Sequence, residues 1–379
     1  MRFYYSSIII GLLLLSCSQA KHSELPEFPV DINQDSLLLL SEIAEEIIVI
    51  EPELTDESVI GTGSYYSICR IISTENNLIV AMGGLSSGEV LVFNNDGKFV
   101  RSIGSRGQGP GEHNSIQNIA FDEKNSRLYI LSYNPNKVIC YNLDGKFLKE
   151  SLLEQSGWPY SDIIYHNDEL FLDQVKIVGE HILKRIVYRM NDNLQFTDSI
   201  ICWENYFEKI NSASRFKDYL VKNGTSIYFY PKELYGKWDA PNVKVLRDTL
   251  YRIEENQLIP ELKLKFRNDG FDSHGDKIID LHNLYRSTRY IFAYYEYNPN
   301  NRERNAEPMS KYYFCYDTKT GKGYNMLDGF MDDIHGIEKR VGIHPLTSDS
   351  EYFYYWHTHM NPNDLEEPNP TIYIGKLKK

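Results

Sequence analysis

The sequence has no excess of basic residues and no long apolar run, and each absence excludes a class of protein. Lys and Arg total 40 against 53 Asp and Glu, so the net charge is −13, whereas a nucleic-acid-binding chain needs a basic face to displace counterions from phosphates. The apolar run at 8–15 is shorter than the roughly 20 residues of a membrane-spanning helix. A mean hydropathy of −0.44 with 42% hydrophobic residues is typical of a globular body.

Cysteine is also scarce, and the helical zinc-peptidase signature is missing. No two cysteines form a C-x-x-C pair, and no H-E-x-x-H motif occurs. The four cysteines of the body lie in apolar or aromatic runs, which favours buried strand positions over metal binding. An oxidising compartment would also permit disulfides among Cys69, Cys140, Cys202 and Cys315.

The N-terminus has the pattern of an export signal. Arg2 precedes the apolar run 8–15, and the small residues Ser16 and Cys17 follow directly. Residues 14–17, LLSC, also resemble a bacterial lipobox, in which the cysteine is diacylated and becomes the first mature residue. The alternative is an ordinary signal peptide that contains a cysteine. We predict a signal peptide over 1–16 and a lipidated Cys17 with a polar tether over 17–44.

The predicted location is therefore the bacterial envelope. Two acyl chains on one cysteine hold a protein stably on a membrane. Some bacteria direct lipoproteins to the outer face of the outer membrane by a run of acidic residues, and no such run follows Cys17. A lipid-anchored position on the periplasmic side is favoured over the cell surface.

A repeat runs through the body of the chain. The segment 90–100, VLVFNNDGKFV, recurs 48 residues later as 138–148, VICYNLDGKFL. In both copies Asp-Gly joins two apolar runs, which is a strong hairpin signal. In a weaker third copy at 186–196, Asp192-Asn193 replaces Asp-Gly, and Asn193 is expected to take the positive φ. Further copies follow at 227–266, 290–316 and 352–374.

Repeats of this length, each with several short strands, are typical of β-propeller blades. Tyr and Phe, which favour strands, number 29 and 17. We predict an all-β, six-bladed β-propeller over 45–379, with four-stranded antiparallel blades. Ring closure needs a strand from one terminus to complete the last blade, and residues 47–50 are expected to pair with 371–377. The alternative, two sandwich domains, does not explain the 48-residue spacing.

A glycine-rich segment, 103–112, separates the first two copies. Its backbone N–H groups could bind an anion, but no GK[ST] sequence and no strand–loop–helix pattern accompany it. Because a strand at 116–121 follows directly, a connection between blades is the favoured interpretation.

These features resemble six-bladed β-propeller lipoproteins of bacteria, which are related to NHL-repeat propellers. The resemblance implies a propeller architecture and an envelope location. It implies no shared activity, so no catalytic residue is carried over. The likeness rests on the lipobox at Cys17, on 57–61, on the block from 93–99 to 107–112, and on 248–253.

Aromatic clusters in the connecting segments suggest a binding role. An aromatic ring exposed on the face of a propeller can stack on a sugar or anchor a protein. We expect a non-catalytic binding or scaffold propeller that is monomeric, carries no cofactor and does not bind nucleic acid, with a glycan or an envelope protein as its partner. The candidate binding residues are Trp158, Tyr160, Trp203, Tyr235 and Trp238.

A metal-dependent hydrolase or lyase is the alternative function. Such an enzyme needs several ligands that converge at one mouth of the central channel. None of the available spacings matches a known motif, so a structural or solvated role is favoured for each residue. The candidate ligands for Ca²⁺ or Zn²⁺ are Asp272, His274, Asp276, His357 and His359, with Asp332 and His335 as a further acid–histidine pair.

Overall fold

The protein is a six-bladed β-propeller. The computed structural model describes residues 25–63, 66–84, 88–154, 158–206, 220–232, 246–275, 277–299, 309–359 and 367–379. Six antiparallel four-stranded sheets form the blades, and one of them carries an additional parallel strand. Within the described residues, helix is confined to α1 (Leu40–Ile43) and a 3-10 turn at Arg267–Gly270. Neither is long and apolar enough to cross a membrane.

The first strands of the chain join blades 4 and 6, and blades 1 to 3 follow in chain order. The first strands are β1 (Glu27–Val30) and β2 (Ala44–Ile50). Blade 1 contains β3 (Tyr66–Ser73), β4 (Asn77–Gly84), β5 (Gly88–Asn94) and β6 (Phe99–Ser102), and a small parallel pair, β7 (Ser105–Arg106) and β8 (Glu112–His113), follows it. Blade 2 contains β9 (Ser115–Asp122), β10 (Arg127–Tyr133), β11 (Lys137–Asn142) and β12 (Phe147–Leu152). Blade 3 contains β13 (Tyr160–His166), β14 (Glu169–Val178), β15 (Ile182–Asn191) and β16 (Phe196–Tyr206).

Blades 4 to 6 have the same strand order, in which the first strand lies nearest the axis. Blade 4 contains β17 (Leu220–Asn223), β18 (Ser226–Phe229), β19 (Thr249–Glu254) and β20 (Gln257–Phe266). Blade 5 contains β21 (Ile279–Arg286), β22 (Tyr290–Tyr297), β23 (Ser310–Asp317) and β24 (Lys322–Leu327). Blade 6 contains β25 (His344–Pro345), β26 (Tyr352–His357) and β27 (Thr371–Leu377), with β2 as its outermost strand.

The N-terminal strand β2 closes the ring, as the sequence predicts. It pairs antiparallel with β27, so that Ile48 lies opposite Ile374 and Ile50 opposite Ile372. Buried apolar clusters fill the gaps between successive blades, because two blades can bury their facing sides only against each other. The shared clusters contain, in order around the ring, Ile79 with Ile119, Tyr129 with Leu172, Phe171 with Phe229, Leu264 with Tyr295, Phe292 with Tyr355, and Ile374 with Ile71.

The segment before β2 packs on the ring, so the tether predicted to reach residue 44 is shorter. β1 pairs parallel with β20 at the outer edge of blade 4, with Glu27 opposite Lys263. Farther along, the Asn325 side chain of blade 5 donates from Nδ2 to the carbonyl of Asp31 at 3.1 Å. Val30, Leu38, Leu40 and Ile43 are buried, and covering these apolar side chains holds the segment against the rim of blades 4 to 6.

The hairpin turns of the repeat contain one exception to the predicted pattern. Gly97 and Gly145 take the positive φ of the first two turns, at 80° and 81°. In the third turn Leu194, with φ 58°, has the positive φ in place of Asn193, so this copy is one residue out of the predicted alignment. Leu194 is buried in the cluster between blades 2 and 3, and this burial offsets the cost of a left-handed backbone.

The glycine-rich segment connects blades 1 and 2, and carboxylates of the chain itself occupy its N–H groups. The N–H of Gly109 donates to Glu112 Oε2 at 2.8 Å, and that of Gly111 donates to Glu150 Oε2 at 2.9 Å. The buried Lys137 ammonium lies 3.0 Å from the same Glu150 oxygen. The donors that an external anion would need are thus already used at these two glycines.

No disulfide joins the four cysteines of the described residues. They lie on strands of four different blades, and three of them are buried. Burial raises the pKa of the Cys140 thiol to about 11, so it is a small apolar strand residue rather than a reactive thiolate.

Candidate binding cleft

A cleft of about 890 Å³ opens at one end of the ring. This is the end at which the first strand of each blade turns into the second. Near the axis, the turns of five blades line the cleft, and they contribute Thr74, Asp122, His166, Lys222 and Asp349. Because each turn follows an innermost strand, these side chains converge on the axis although they are far apart in sequence.

The cleft also runs outward along blade 6. Its lining there includes Leu346, Tyr352, Ile374 and Ile48. Since the strands of blade 6 follow the order β25, β26, β27 and β2 from the axis to the rim, these four residues form a row from the inner end to the outer end. Ile48 is 54% exposed at the rim. The cleft thus combines an apolar row with a charged axial end.

Carboxylates outnumber ammonium groups in the cleft lining. The acidic residues are Glu46, Glu75, Asp122, Glu123, Asp168 and Asp349, and the basic residues are Lys124, Lys222 and Lys376. Two of these ammonium groups have a close acidic neighbour. Lys124 Nζ lies 3.8 Å from Asp168 Oδ1, and Lys376 Nζ lies 3.0 Å from Glu45 Oε2.

Lys222 is the ammonium at the axial end. Its backbone joins blade 4 to blade 6, because Lys222 N donates to Thr347 O at 2.9 Å and Ser350 N donates to Lys222 O at 2.8 Å. Burial lowers the pKa of Lys222, while attraction from Glu123, Asp349 and Asp122 opposes this shift. The half-buried ammonium is therefore held near three carboxylates, with no ion pair within 4 Å among the described residues.

The carboxylates beside Lys222 are held by their surroundings. Asp122 accepts hydrogen bonds from Asn125 N at 3.2 Å and from Asn125 Nδ2 at 2.7 Å. Burial raises the pKa of Asp349, and the charge of nearby Glu351 adds to the rise. Burial also favours the neutral form of His166, and with the Lys222 charge it lowers the pKa of that imidazole.

A hydrogen-bonded junction supports the wall of the cleft. Glu351 Oε1 accepts from Asn223 Nδ2 at 2.6 Å and from Thr288 N at 2.7 Å. These bonds outweigh burial and lower the pKa of Glu351. The carboxylate connects blades 4, 5 and 6, so the turn that carries Asp349 is fixed relative to Lys222.

A buried ion pair fills the axis beyond the cleft. Arg70 Nη2 lies 2.7 Å from Asp162 Oδ1, and Arg70 Nη1 donates to the carbonyl of Ile163 at 2.6 Å. Asn118 Nδ2 and the N–H of Leu220 also donate to the Asp162 carboxylate, at 3.0 and 2.9 Å. These residues come from the innermost strands of blades 1 to 4, and the Asp162 side chain that they surround is 0% exposed.

The structure places Trp158, Tyr160 and Trp203, three of the predicted aromatic residues, at the end of the ring opposite the cleft. Tyr160 is buried with its ring 5.7 Å from that of Tyr188. Trp203 is buried beneath the Arg247 guanidinium, 5.5 Å from the ring centroid. Trp158 is partly exposed. The protein covers the ring faces of the two buried residues, and Tyr235, Trp238 and Cys17 lie outside the described residues.

The predicted metal ligands fall into two separate places, also away from the cleft. His357, the last residue of β26, and His359 have ring centroids 4.6 Å apart. They lie at the end of this strand that is away from Tyr352. Asp272 Oδ1 accepts from His274 N at 2.8 Å in the connection between blades 4 and 5. Asp276 lies outside the described residues, within which no three His, Cys, Asp or Glu side chains are placed to hold a metal ion.

The other acid–histidine pair is structural. Both carboxylate oxygens of Asp332 lie 3.2 Å from His335 Nδ1, and the Tyr355 hydroxyl donates to Asp332 Oδ2 at 2.7 Å. Asp332 also accepts from the backbone N–H of Ile334 and His335 at 3.0 and 2.9 Å. The carboxylate is therefore fully used in fixing the connection between blades 5 and 6.

A second polar cluster, missed from the sequence, is buried between blades 4 and 5. Lys232 Nζ lies 2.6 Å from His282 Nδ1 and 3.3 Å from Asp280 Oδ1. His282 Nε2 lies 3.4 Å from Glu296 Oε2. Burial lowers the pKa of Lys232 to about 7. These groups contact one another, so the cluster joins the two blades.

Comparison with known proteins supports the fold and defines the family. Residues 25–378 match the model of a domain of unknown function, DUF4934, and the chain belongs to this family. A protein of Bacteroides fragilis NCTC 9343 described as exported is 16% identical, with a TM-score of 0.62, and the match covers 93% of this chain and 99% of that one. A DUF4221 family member from Bacteroides vulgatus ATCC 8482 is 8% identical, with a TM-score of 0.50, covering 88% and 97%. At these identities the likeness shows the fold alone. No curated protein matches the chain.

Proposed function

We propose that the protein is a non-catalytic, lipid-anchored binding propeller of the bacterial envelope, and that its cleft holds an extended segment of a protein partner. The observation that carries this proposal is the cleft itself, which joins an apolar row on blade 6 to a charged end at the axis. The signal and lipobox pattern at 1–17 supports an envelope location, as does the exported description of the similar Bacteroides fragilis protein.

A protein segment fits the cleft better than a glycan does. Tyr160 and Trp203, two of the aromatic residues expected to stack on sugars, are buried. Acidic polysaccharides would be repelled by the carboxylates of the lining. A peptide in extended conformation supplies apolar side chains for the row that ends at Ile48 and polar groups for the axial end.

A matched pair of isoleucines tests the proposal. Ile48 lines the cleft and is 54% exposed, whereas Ile201 lies on the outer strand of blade 3 and is 58% exposed. Peptides selected from a random phage-displayed library on the mature chain are expected to bind the Ile48→Asn variant at least about fivefold more weakly, from the loss of apolar burial. The Ile201→Asn variant should bind them as the wild type does.

A glycan array run on the same protein covers the other partner class. Failure to select any binding peptide, or equal binding by the two variants, would contradict a protein partner in the cleft. Glycan binding that Ile48→Asn weakens would replace the protein partner by a glycan at the same site.

A further inference from the structure

We infer that the axial end of the cleft binds a cationic side chain, Lys or Arg, of the partner segment. This inference rests on the proposed function and adds the chemistry that the cleft selects. It is drawn from the placement of three carboxylates, those of Asp122, Glu123 and Asp349, near the ammonium of Lys222 in the cleft.

The charges at the axial end are unbalanced in favour of a cation. Lys124 and Lys376 have Asp168 and Glu45 as their near neighbours, so the three carboxylates near the axis face Lys222 and, at Asp349, also Lys379. Asp122 is 1% exposed and is oriented by Asn125, so it is positioned before any ligand arrives. A second cation that enters from the open side would be attracted by the charge that Lys222 leaves uncompensated.

The Lys222 ammonium and a cationic ligand then compete for the same carboxylates. Its ammonium partly neutralises the carboxylates, although burial disfavours the charged form. A cationic ligand gains from the carboxylates and is repelled by Lys222. An anionic ligand would be drawn to Lys222 and repelled by the carboxylates. The effect of removing the Lys222 charge therefore has opposite signs for the two kinds of ligand.

The Lys222→Met variant removes this charge, so the direction of the change in affinity distinguishes a cationic from an anionic ligand. The probes are the tightest library peptide and copies in which each basic residue is replaced by Gln. All affinities are measured at low ionic strength, where charge interactions are least screened. We expect the wild-type protein to bind one of the Gln copies about fivefold more weakly than the parent peptide. For the parent peptide, we expect the Lys222→Met protein to bind about fivefold more tightly than the wild type and the Asp349→Asn protein to bind more weakly. Lys98→Met removes an exposed lysine outside the cleft and should change the affinity less than about twofold.

The outcomes separate this inference from the proposed function. Weaker or unchanged binding by Lys222→Met, or equal binding of the Gln copies, would overturn the cationic assignment while the difference between Ile48→Asn and Ile201→Asn remained. Loss of that difference would overturn the proposed function itself. Thermal unfolding of each variant checks that the propeller is intact, and Lys222→Met keeps the length and apolar stem of the side chain.

Discussion

The Arg70 guanidinium lies 2.7 Å from the Asp162 carboxylate, although the two residues belong to blades 1 and 3. Blade 2 contributes the carbonyl of Ile119, to which Arg70 Nη1 donates at 2.9 Å. The pair therefore connects innermost strands across the axis. Both side chains are nearly fully buried, at 2% and 0% exposure, so neither charge has water as an alternative partner.

Replacing Arg70 by Met should lower the free energy of unfolding by about 3–5 kcal/mol, because the Asp162 carboxylate would remain buried without its counter-charge. Urea unfolding followed by tryptophan fluorescence measures the change. The control is Arg101→Met, which breaks an exposed pair with Asp144 at 3.5 Å and should cost less than about 1 kcal/mol. Equal effects of the two substitutions would contradict a structural role for the axial pair.

The turns at Gly97 and Gly145 share one backbone conformation but have different surroundings. A Cβ on Gly97 would lie 2.1 Å from the carbonyl oxygen of Glu51, whereas at Gly145 the nearest atom, the carbonyl oxygen of Ser102, would be 3.7 Å away. Gly145→Ala should therefore lower the free energy of unfolding by about 1 kcal/mol, which is the cost of a left-handed backbone at a residue with a Cβ. Gly97→Ala should lower the free energy of unfolding by about 1–3 kcal/mol more, because the backbone at Gly97 or Glu51 must shift to make room for the Cβ. Thermal unfolding of both variants tests this order, and a reversed order would be inconsistent with the packing of Glu51 on the turn.

The buried imidazole of His113 makes stability depend on pH. Burial lowers its pKa to about 4 from the ordinary 6.5, with a smaller contribution from the Lys137 charge. The unfolded chain therefore binds a proton more readily than the folded chain between these values. The stability associated with neutral His113 is complete above pH 6.5 and falls by about 3 kcal/mol as the pH drops to 4.

The variant His113→Gln, which cannot take up this proton, should lose less stability than the wild type between pH 6.5 and 4. Urea unfolding at several pH values gives the two slopes. His274→Gln makes the same change at an exposed histidine and serves as the control for the substitution itself. Parallel slopes for the wild type and His113→Gln would show that His113 is not the group responsible.

The blades and their closure could be predicted because their signals are local and repeated. The Asp-Gly turns at 96–97 and 144–145 mark the same hairpin in two blades, and 47–50 carries the apolar run that completes the last one. The additional strand β1 was missed, because four residues paired parallel on an outer edge carry no alternation long enough to predict a strand.

The cleft and the axial pair could not be predicted from the sequence pattern. Lys222, His166 and Asp349 are single polar residues in or after short strands, and only the ring brings them to one place. Arg70 and Asp162 are likewise isolated charges within apolar strands. The aromatic residues that the sequence analysis proposed for binding include Tyr160 and Trp203, which lie toward the opposite end of the ring. Both are buried and pack between or within the blades. The one available signal was the polar turn after the first strand of each blade.

Deuterium uptake of the mature chain, with and without a saturating Lys-containing library peptide, tests the cleft most directly as the binding site. We expect slower exchange in the turns at 73–75, 122–124, 166–168 and 346–352, which line the cleft near the axis. Protection confined to the opposite end of the ring, at 267–275 and 357–359, would contradict it.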